Sequence, residues 1–157
     1  MRRHALAFMI AAVVVPLSAL ETRLSAQDVD PCNLITKAEA AQILAKPEIL
    51  KAKSMPPQDG TCGYLGAPFD VHTEVLPSPS GWSAMVKKQI QAKKAEAVAE
   101  KIGDETVFTT DGNGDFVMTS RKGNRIVTVT MFSDKTTLAE AKPKLVKLLT
   151  VAVSKVH

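Results

Sequence analysis

The sequence predicts an α+β fold: a single antiparallel sheet of about five strands with helices packed on one face, in the order α-β-β-α-β-β-β-α, stapled by one disulfide. Three observations carry this reading. Capping-box spacings open two amphipathic stretches, Thr36-Lys37-Ala38-Glu39 and Thr137-Leu138-Ala139-Glu140. Apolar and polar residues alternate around glycine-containing turns between Glu105 and Phe132. Two cysteines, Cys32 and Cys62, follow a leader-like N-terminus. A length of 157 residues with 23% charged and 45% hydrophobic side chains suits one domain and argues against two-domain enzymes, repeat arrays and disordered polymers.

The chain opens with a secretory pattern. Arg2 and Arg3 precede an unbroken apolar run from Ala5 to Val15, which ends at Pro16. Such a run rises only about 16 Å as a helix, roughly half the hydrocarbon thickness of a bilayer, so a removed signal peptide over residues 1–26 is favoured over a stable membrane span. Cleavage after Ala26 leaves Gln27 first in a domain of residues 27–157; cleavage after Ala19 is the alternative. Cys32 lies in Val-Asp-Pro-Cys, without the small apolar residues of a lipid-attachment site. The expected location is therefore secreted or periplasmic. Processing removes three arginines and one glutamate, lowering the formal charge from +4 to +2, and the aromatic share is 4%. Neither a strong polyanion footprint nor a stacking platform is left, so no nucleic-acid partner is expected.

An oxidising compartment lets Cys32 and Cys62 pair. Closing that loop removes denatured-state entropy worth about 3.5 kcal/mol in the chain-entropy picture. A zinc site would want more Cys or His than His72 and His157 supply, so no metal and no cofactor are expected.

The elements follow in order. Thr36 starts a helix running to about Ala45, with Ala40, Ile43 and Leu44 as its apolar stripe, and Pro47 stops it. Residues 47–60 carry three prolines and read as a loop with room for a short edge strand at Ile49 to Lys53. Cys62 to Leu65 and Phe69 to Leu76 are two strands around Gly66-Ala67-Pro68. In the second, Val71, Thr73 and Val75 share one face and Asp70, His72 and Glu74 the other. A second helix is expected from Trp82 to Glu100, with Trp82, Met85, Val86, Ile90 and Ala97 inward and Lys87, Lys88, Gln91 and Lys94 outward. Gly123-Asn124 as a two-residue hairpin sets Lys122 against Arg125, Met118 against Val129 and Phe116 against Met131, so that both apolar faces coincide. Extending the logic across Asp111 to Gly114 puts Val107 beside Met118 in a three-stranded meander with one buried face. The last helix follows Thr137 with a stripe of Leu138, Leu145, Leu148, Leu149, Ala152, Val153 and Val156; Pro143 either kinks it or starts its main segment.

Two constellations have the residue types for chemistry. Asp70, His72 and Glu74 stand about 6.5 to 7 Å apart along one strand face, able to converge on a metal or a proton transfer, although any solvent-facing strand looks similar. Asp111-Gly112-Asn113-Gly114-Asp115 matches the opening of a calcium loop, but Phe116 replaces the sixth-place glycine and Lys122 the twelfth-place glutamate, which leaves a glycine-rich turn. Phosphate-loop and serine-hydrolase signatures are missing. Lysines 87, 88, 93 and 94 read as the wet side of the second helix.

Four short segments go together: Asp30-Pro31-Cys32-Asn33-Leu34-Ile35-Thr36, Cys62-Gly63-Tyr64, Ile102-Gly103-Asp104-Glu105 and Arg121-Lys122-Gly123-Asn124. They resemble a group of bacterial secreted domains and lipoproteins of unknown function, typified by actinobacterial envelope lipoproteins, with a D-P-C, C-x-Y and G-x-G-D-E-A-like pattern. The chain is also similar to the extracellular sensor domain of a mycobacterial-type serine/threonine kinase. The resemblance spans nearly the whole mature chain and implies the same disulfide, the same fold class and a ligand-sensing cleft; it brings no catalytic residues. Two departures stand out, the missing lipid-attachment cysteine and Lys101 in place of a glycine two positions before Gly103.

The expected function is a non-enzymatic extracytoplasmic module that binds a small ligand or an envelope component through the sheet or a cleft between sheet and helices. A metal-dependent or hydrolytic enzyme built on Asp70, His72 and Glu74 is the alternative, and a purely structural envelope component a third reading. No stable membrane span remains after cleavage.

Overall fold

The computed structural model describes residues 29–55, 61–66, 69–111, 114–133 and 136–157. The predicted signal peptide lies outside them. Asp30 accepts the Cys32 amide at 2.9 Å and starts a short 3-10 turn, Pro31–Asn33, where a proline at the first position loses no needed amide. The first helix, α1 (Lys37–Leu44), is capped as expected: Thr36 Oγ1 accepts the Glu39 amide and the Glu39 carboxylate accepts the Thr36 amide at 2.7 Å. It stops at Ala45, which turns into the left-handed region with φ 54°.

Seven strands follow: β1 (Lys53–Ser54), β2 (Thr61–Gly66), β3 (Phe69–Pro77), β4 (Glu96–Ala97), β5 (Glu105–Thr110), β6 (Asp115–Lys122) and β7 (Arg125–Phe132). Two further helices, α2 (Trp82–Gln91) and α3 (Leu138–Ser154), complete the elements. All strands join one antiparallel sheet in the order β1-β2-β3-β7-β6-β5-β4. The fold class and disulfide match the expectation. The count of about five strands and the order α-β-β-α-β-β-β-α do not: two-residue strands occupy both edges, giving α-β-β-β-α-β-β-β-β-α. These edge strands are set by pairing with a neighbour and not by a periodicity of their own. Ile49 lies in a 3-10 turn, Pro47–Lys51, and the edge pairing begins only at Lys53.

The hairpin between β6 and β7 has the predicted register, Lys122 opposite Arg125, Met118 opposite Val129 and Phe116 opposite Met131. The step to β5 is one residue off the expectation, because Phe108 and not Val107 faces Met118. The longer connection places the larger ring in the main core. Val107 is also buried, but on the opposite face with Val86 and Ile126, outside the main cluster.

That second apolar group shows why helices on one face alone is also corrected. α3 packs on β6 and β7, and α1 packs on α3, burying Leu145, Leu148, Leu149 and Val153 against Phe116, Met118, Val129 and Met131. α2 lies against the other face: its Ser83 hydroxyl donates to Glu105 at 2.7 Å, and Glu105 alternates with the core-facing Thr106 and Phe108. The helix expected to reach Glu100 ends at Gln91. Lys93 adopts φ 54° and the chain turns to extend the sheet as β4. α3 runs through Pro143 from its start at Leu138, with the Thr137–Glu140 capping box formed. Leu138, assigned to the apolar stripe, is 47% exposed instead, one turn too early to reach the sheet. Among the described residues no helix is long and apolar enough to cross a membrane.

Candidate functional site

The four motif segments converge on the frame of the fold. Cys32 and Cys62 form the disulfide with Cα atoms 5.0 Å apart. Beside it, the Tyr64 hydroxyl donates to the Ile35 carbonyl at 2.7 Å and Thr73 Oγ1 donates to the Pro31 carbonyl at 2.9 Å. The segment leading into α1 is thus tied to β2 and β3 by a covalent link and two buried hydrogen bonds. Burial pushes the Tyr64 phenol pKa up, and the Glu39 and Asp30 carboxylates add to that. Lys155, just past α3, pairs with Glu39 at 2.8 Å and donates to the Asn33 carbonyl at 3.2 Å. Partial burial opposes ionisation of Glu39, but the Lys155 ammonium and the Thr36 amide and hydroxyl outweigh it and hold the pKa below its ordinary value.

At the far end, Ile102-Gly103-Asp104 docks onto the β6–β7 hairpin. The Ile102 carbonyl accepts from the buried Thr106 and Ser120 hydroxyls. Asp104 accepts from Arg121 at 3.0 Å and from the Gly123 amide at 2.9 Å. Gly103 has φ +76°, and a Cβ there would stand 2.6 Å from the Arg121 carbonyl oxygen. These segments therefore have structural work that explains their residue types in full.

The predicted polar patch divides. His72 and Glu74 lie on the sheet face opposite the main core, in register with Thr130 and Thr128 of β7, and Asp70 pairs in register with Phe132. The Asp70 side chain lies outside the described residues. His72 turns into an apolar cradle: its ring meets Phe132 edge-on with centroids 4.9 Å apart, and it covers Gly63. Among the described residues its buried Nε2 atom has no hydrogen-bond partner, while Glu74 stays half-buried. Among the described residues no group of three or more His, Cys, Asp or Glu is placed to hold a metal ion. Of the calcium-like turn, residues 112 and 113 lie outside the described residues, and Asp111 accepts the Asp115 amide at 3.3 Å, as a turn residue does. Lysines 87, 88, 93 and 94 are exposed on and after α2.

One concave feature lies where the short β4 strand meets the first turns of α3. A cleft of about 480 Å³ is lined by Glu96, Glu100, Leu138, Ala139, Lys142, Pro143 and Val146. Leu138 and Glu96 also line an adjoining hollow of about 340 Å³, which continues to Ile90, Lys93, Lys94 and Phe108. Lys142 spans the junction, paired with Glu96 and 5.7 Å above the Phe108 ring. The result is an apolar trough with lysines at one end. Sequence reasoning missed it, although one signal was present: Ala139, Pro143 and Val146 repeat at helical spacing beside Leu138, a second apolar stripe on α3 that the sheet does not need.

Family models, curated proteins and solved structures were each compared with the chain, and none matches it.

Proposed function

We propose that this protein is a non-enzymatic extracytoplasmic binding module that takes an elongated amphiphile with an anionic end in the trough beside β4, α3 and the end of α2. The observation that carries the reading is Leu138, a large apolar side chain held 47% exposed at the centre of a concave surface by its own capping box. An apolar trough with a few placed charges is the usual form of a small-ligand site. Lys93 and Lys94 are exposed at one end and suit a carboxylate or phosphate, while Leu138, Ala139, Pro143 and Val146 suit a chain. The leader-like N-terminus and the disulfide support an extracytoplasmic setting. The resemblance of its short motifs to those of envelope domains, and its similarity to a kinase sensor domain, fit a ligand-sensing role within the envelope.

The test is a thermal-shift and calorimetric titration of the protein with medium-chain fatty acids and alkyl phosphates, beside the Leu138→Asp variant. A ligand at one hundred times its Kd stabilises the native state by about 2.7 kcal/mol. The wild-type protein should show saturable stabilisation that Leu138→Asp loses while its unliganded stability holds. No stabilisation across the series, or equal stabilisation of the variant, would overturn the proposal. A hydrolytic activity that vanishes in a folded His72→Ala variant would instead favour the enzymatic reading.

A further inference from the structure

The mild net charge of the chain hides a concentrated one. Between Glu74 and Glu96 the sequence carries Lys87, Lys88, Lys93 and Lys94 and no acidic residue, a local charge of +4 where the processed domain sums to +2. All four lysines are exposed, and among the described residues none of them forms an ion pair. The glutamates on the neighbouring strands β4 and β5, Glu96 and Glu105, are engaged with Lys142 and with the Ser83 hydroxyl. The fold gathers the lysines onto one side. Val86 is buried against the sheet, so helical spacing turns Ala84, Lys87, Lys88 and Gln91 outward, with Met85 at their margin. Lys93, left-handed at φ 54°, folds the chain back, and the Lys94 amide donates to the Gln89 carbonyl at 2.9 Å. Lys94 therefore stands beside the helix and, with Lys88, borders a shallow hollow of about 480 Å³ whose walls include Ala84, Met85 and Ala92. Met85 is 42% exposed there. Lys94 also lines the hollow adjoining the trough, so the basic face and the trough share a rim.

Lysines of one sign around an exposed apolar side chain are the two parts from which a protein surface holds an anionic bilayer: the cations attract lipid phosphates, and the apolar group enters the headgroup layer. We propose that the outer face of α2, together with Lys93 and Lys94, docks on an anionic phospholipid surface with Met85 seated among the headgroups. A soluble polyanion would use the lysines and have no use for Met85. Docking in this way sets the Lys93 and Lys94 end of the trough against the headgroups. The docking surface stands on α2 and its following turn alone and does not rest on the trough holding a ligand.

The experiment uses the protein as exported, with its disulfide formed and no free amphiphile added, so its outcome is separate from that of the ligand titration. Co-sedimentation with vesicles of phosphatidylglycerol or of phosphatidylcholine reads partitioning. Bicelles containing a gadolinium-chelating lipid read the docked face through the methionine methyl signals in NMR. Phosphatidylglycerol should hold the protein about tenfold or more better than phosphatidylcholine, and salt should release it. Lys88→Gln with Lys94→Gln should weaken binding about twentyfold, each lysine near such a surface contributing about fivefold. Lys51→Gln with Lys147→Gln, the same loss of charge at exposed positions elsewhere, should leave binding near the wild-type value. Met85→Gln should weaken it severalfold, and the paramagnetic lipid should broaden the Met85 methyl while sparing Met55, Met118 and Met131. No preference for phosphatidylglycerol, binding that survives the Lys88 and Lys94 double variant, or broadening that spares Met85 would overturn the proposal. Binding indifferent to Met85→Gln and competed away by soluble polyphosphate would mark a polyanion site and overturn it as well.

Discussion

Gly103 offers the sharpest test of how the fold is held, because Gly123 provides a matched control. Both glycines have positive φ, +76° and +59°, so alanine at either position meets the same left-handed penalty of about 1–2 kcal/mol. Their surroundings differ. A methyl group on Gly123 meets nothing within 4 Å, whereas one on Gly103 would stand 2.5 Å from Ser120 Oγ and 2.6 Å from the Arg121 carbonyl oxygen. The Arg121 carbonyl has little freedom to retreat, since it belongs to β6 and accepts the Asp104 amide at 2.7 Å. Overpacking of this kind adds about 1–3 kcal/mol. Gly103→Ala should therefore lose about 2–5 kcal/mol and Gly123→Ala about 1–2 kcal/mol, a contrast of several degrees in Tm for a domain of this size. Urea unfolding followed by circular dichroism and by Trp82, the single tryptophan, would measure both. Equal losses would refute the close packing of the Gly103 step against the hairpin.

Reduction of the Cys32–Cys62 bond, or its replacement by Cys32→Ser with Cys62→Ser, should lower stability by about 3.5 kcal/mol. A urea midpoint unmoved by reductant would contradict this. Glu39 should shape the acid limb of stability. Its pKa in the fold lies below the ordinary 4.5, so the stabilisation is present above that pH and is lost as pH falls through the lowered value. Glu39→Gln should flatten this part of the curve and cost no more than about 1 kcal/mol at neutral pH, because the pair with Lys155 is one-third exposed. An unchanged acid limb in the variant would argue against the pairing.

The local features were legible because their causes are local. Capping boxes at Thr36 and Thr137 need only a hydroxyl and a carboxylate three residues apart, and both form. The Gly123 hairpin and its register follow from the alternation of Phe116, Met118, Val129 and Met131 on either side of one turn. The pairing of Cys32 with Cys62 follows from their number. By contrast, β1 and β4 have two residues each and take their shape from β2 and β5, so no pattern within them could announce a strand. Residues 92–100 carry a helical spacing that the chain abandons at Lys93, where sheet pairing of Glu96 and Ala97 wins over propensity.

The candidate sites divide along the same line. That Asp70, His72 and Glu74 share a strand face was readable from period-two geometry, and so was a disulfide tying residue 32 to residue 62. What each side chain touches was not. Register between β2 and β3 places Gly63 beneath His72, and the edge pairing brings Met55 to the same place, which turns a supposedly wet histidine into one with a buried nitrogen. Likewise, only the packing of α3 on the sheet decides that Leu138 stays outside and lines a trough with Glu96 and Lys142. The sequence by itself determined the helix starts, the hairpin and the covalent staple, because those depend on residues a few positions apart or on pairing two thiols. The tertiary structure alone decided the edges, the second covered face and the trough, because these arise from contacts between segments whose separation along the chain carries no signal of their meeting.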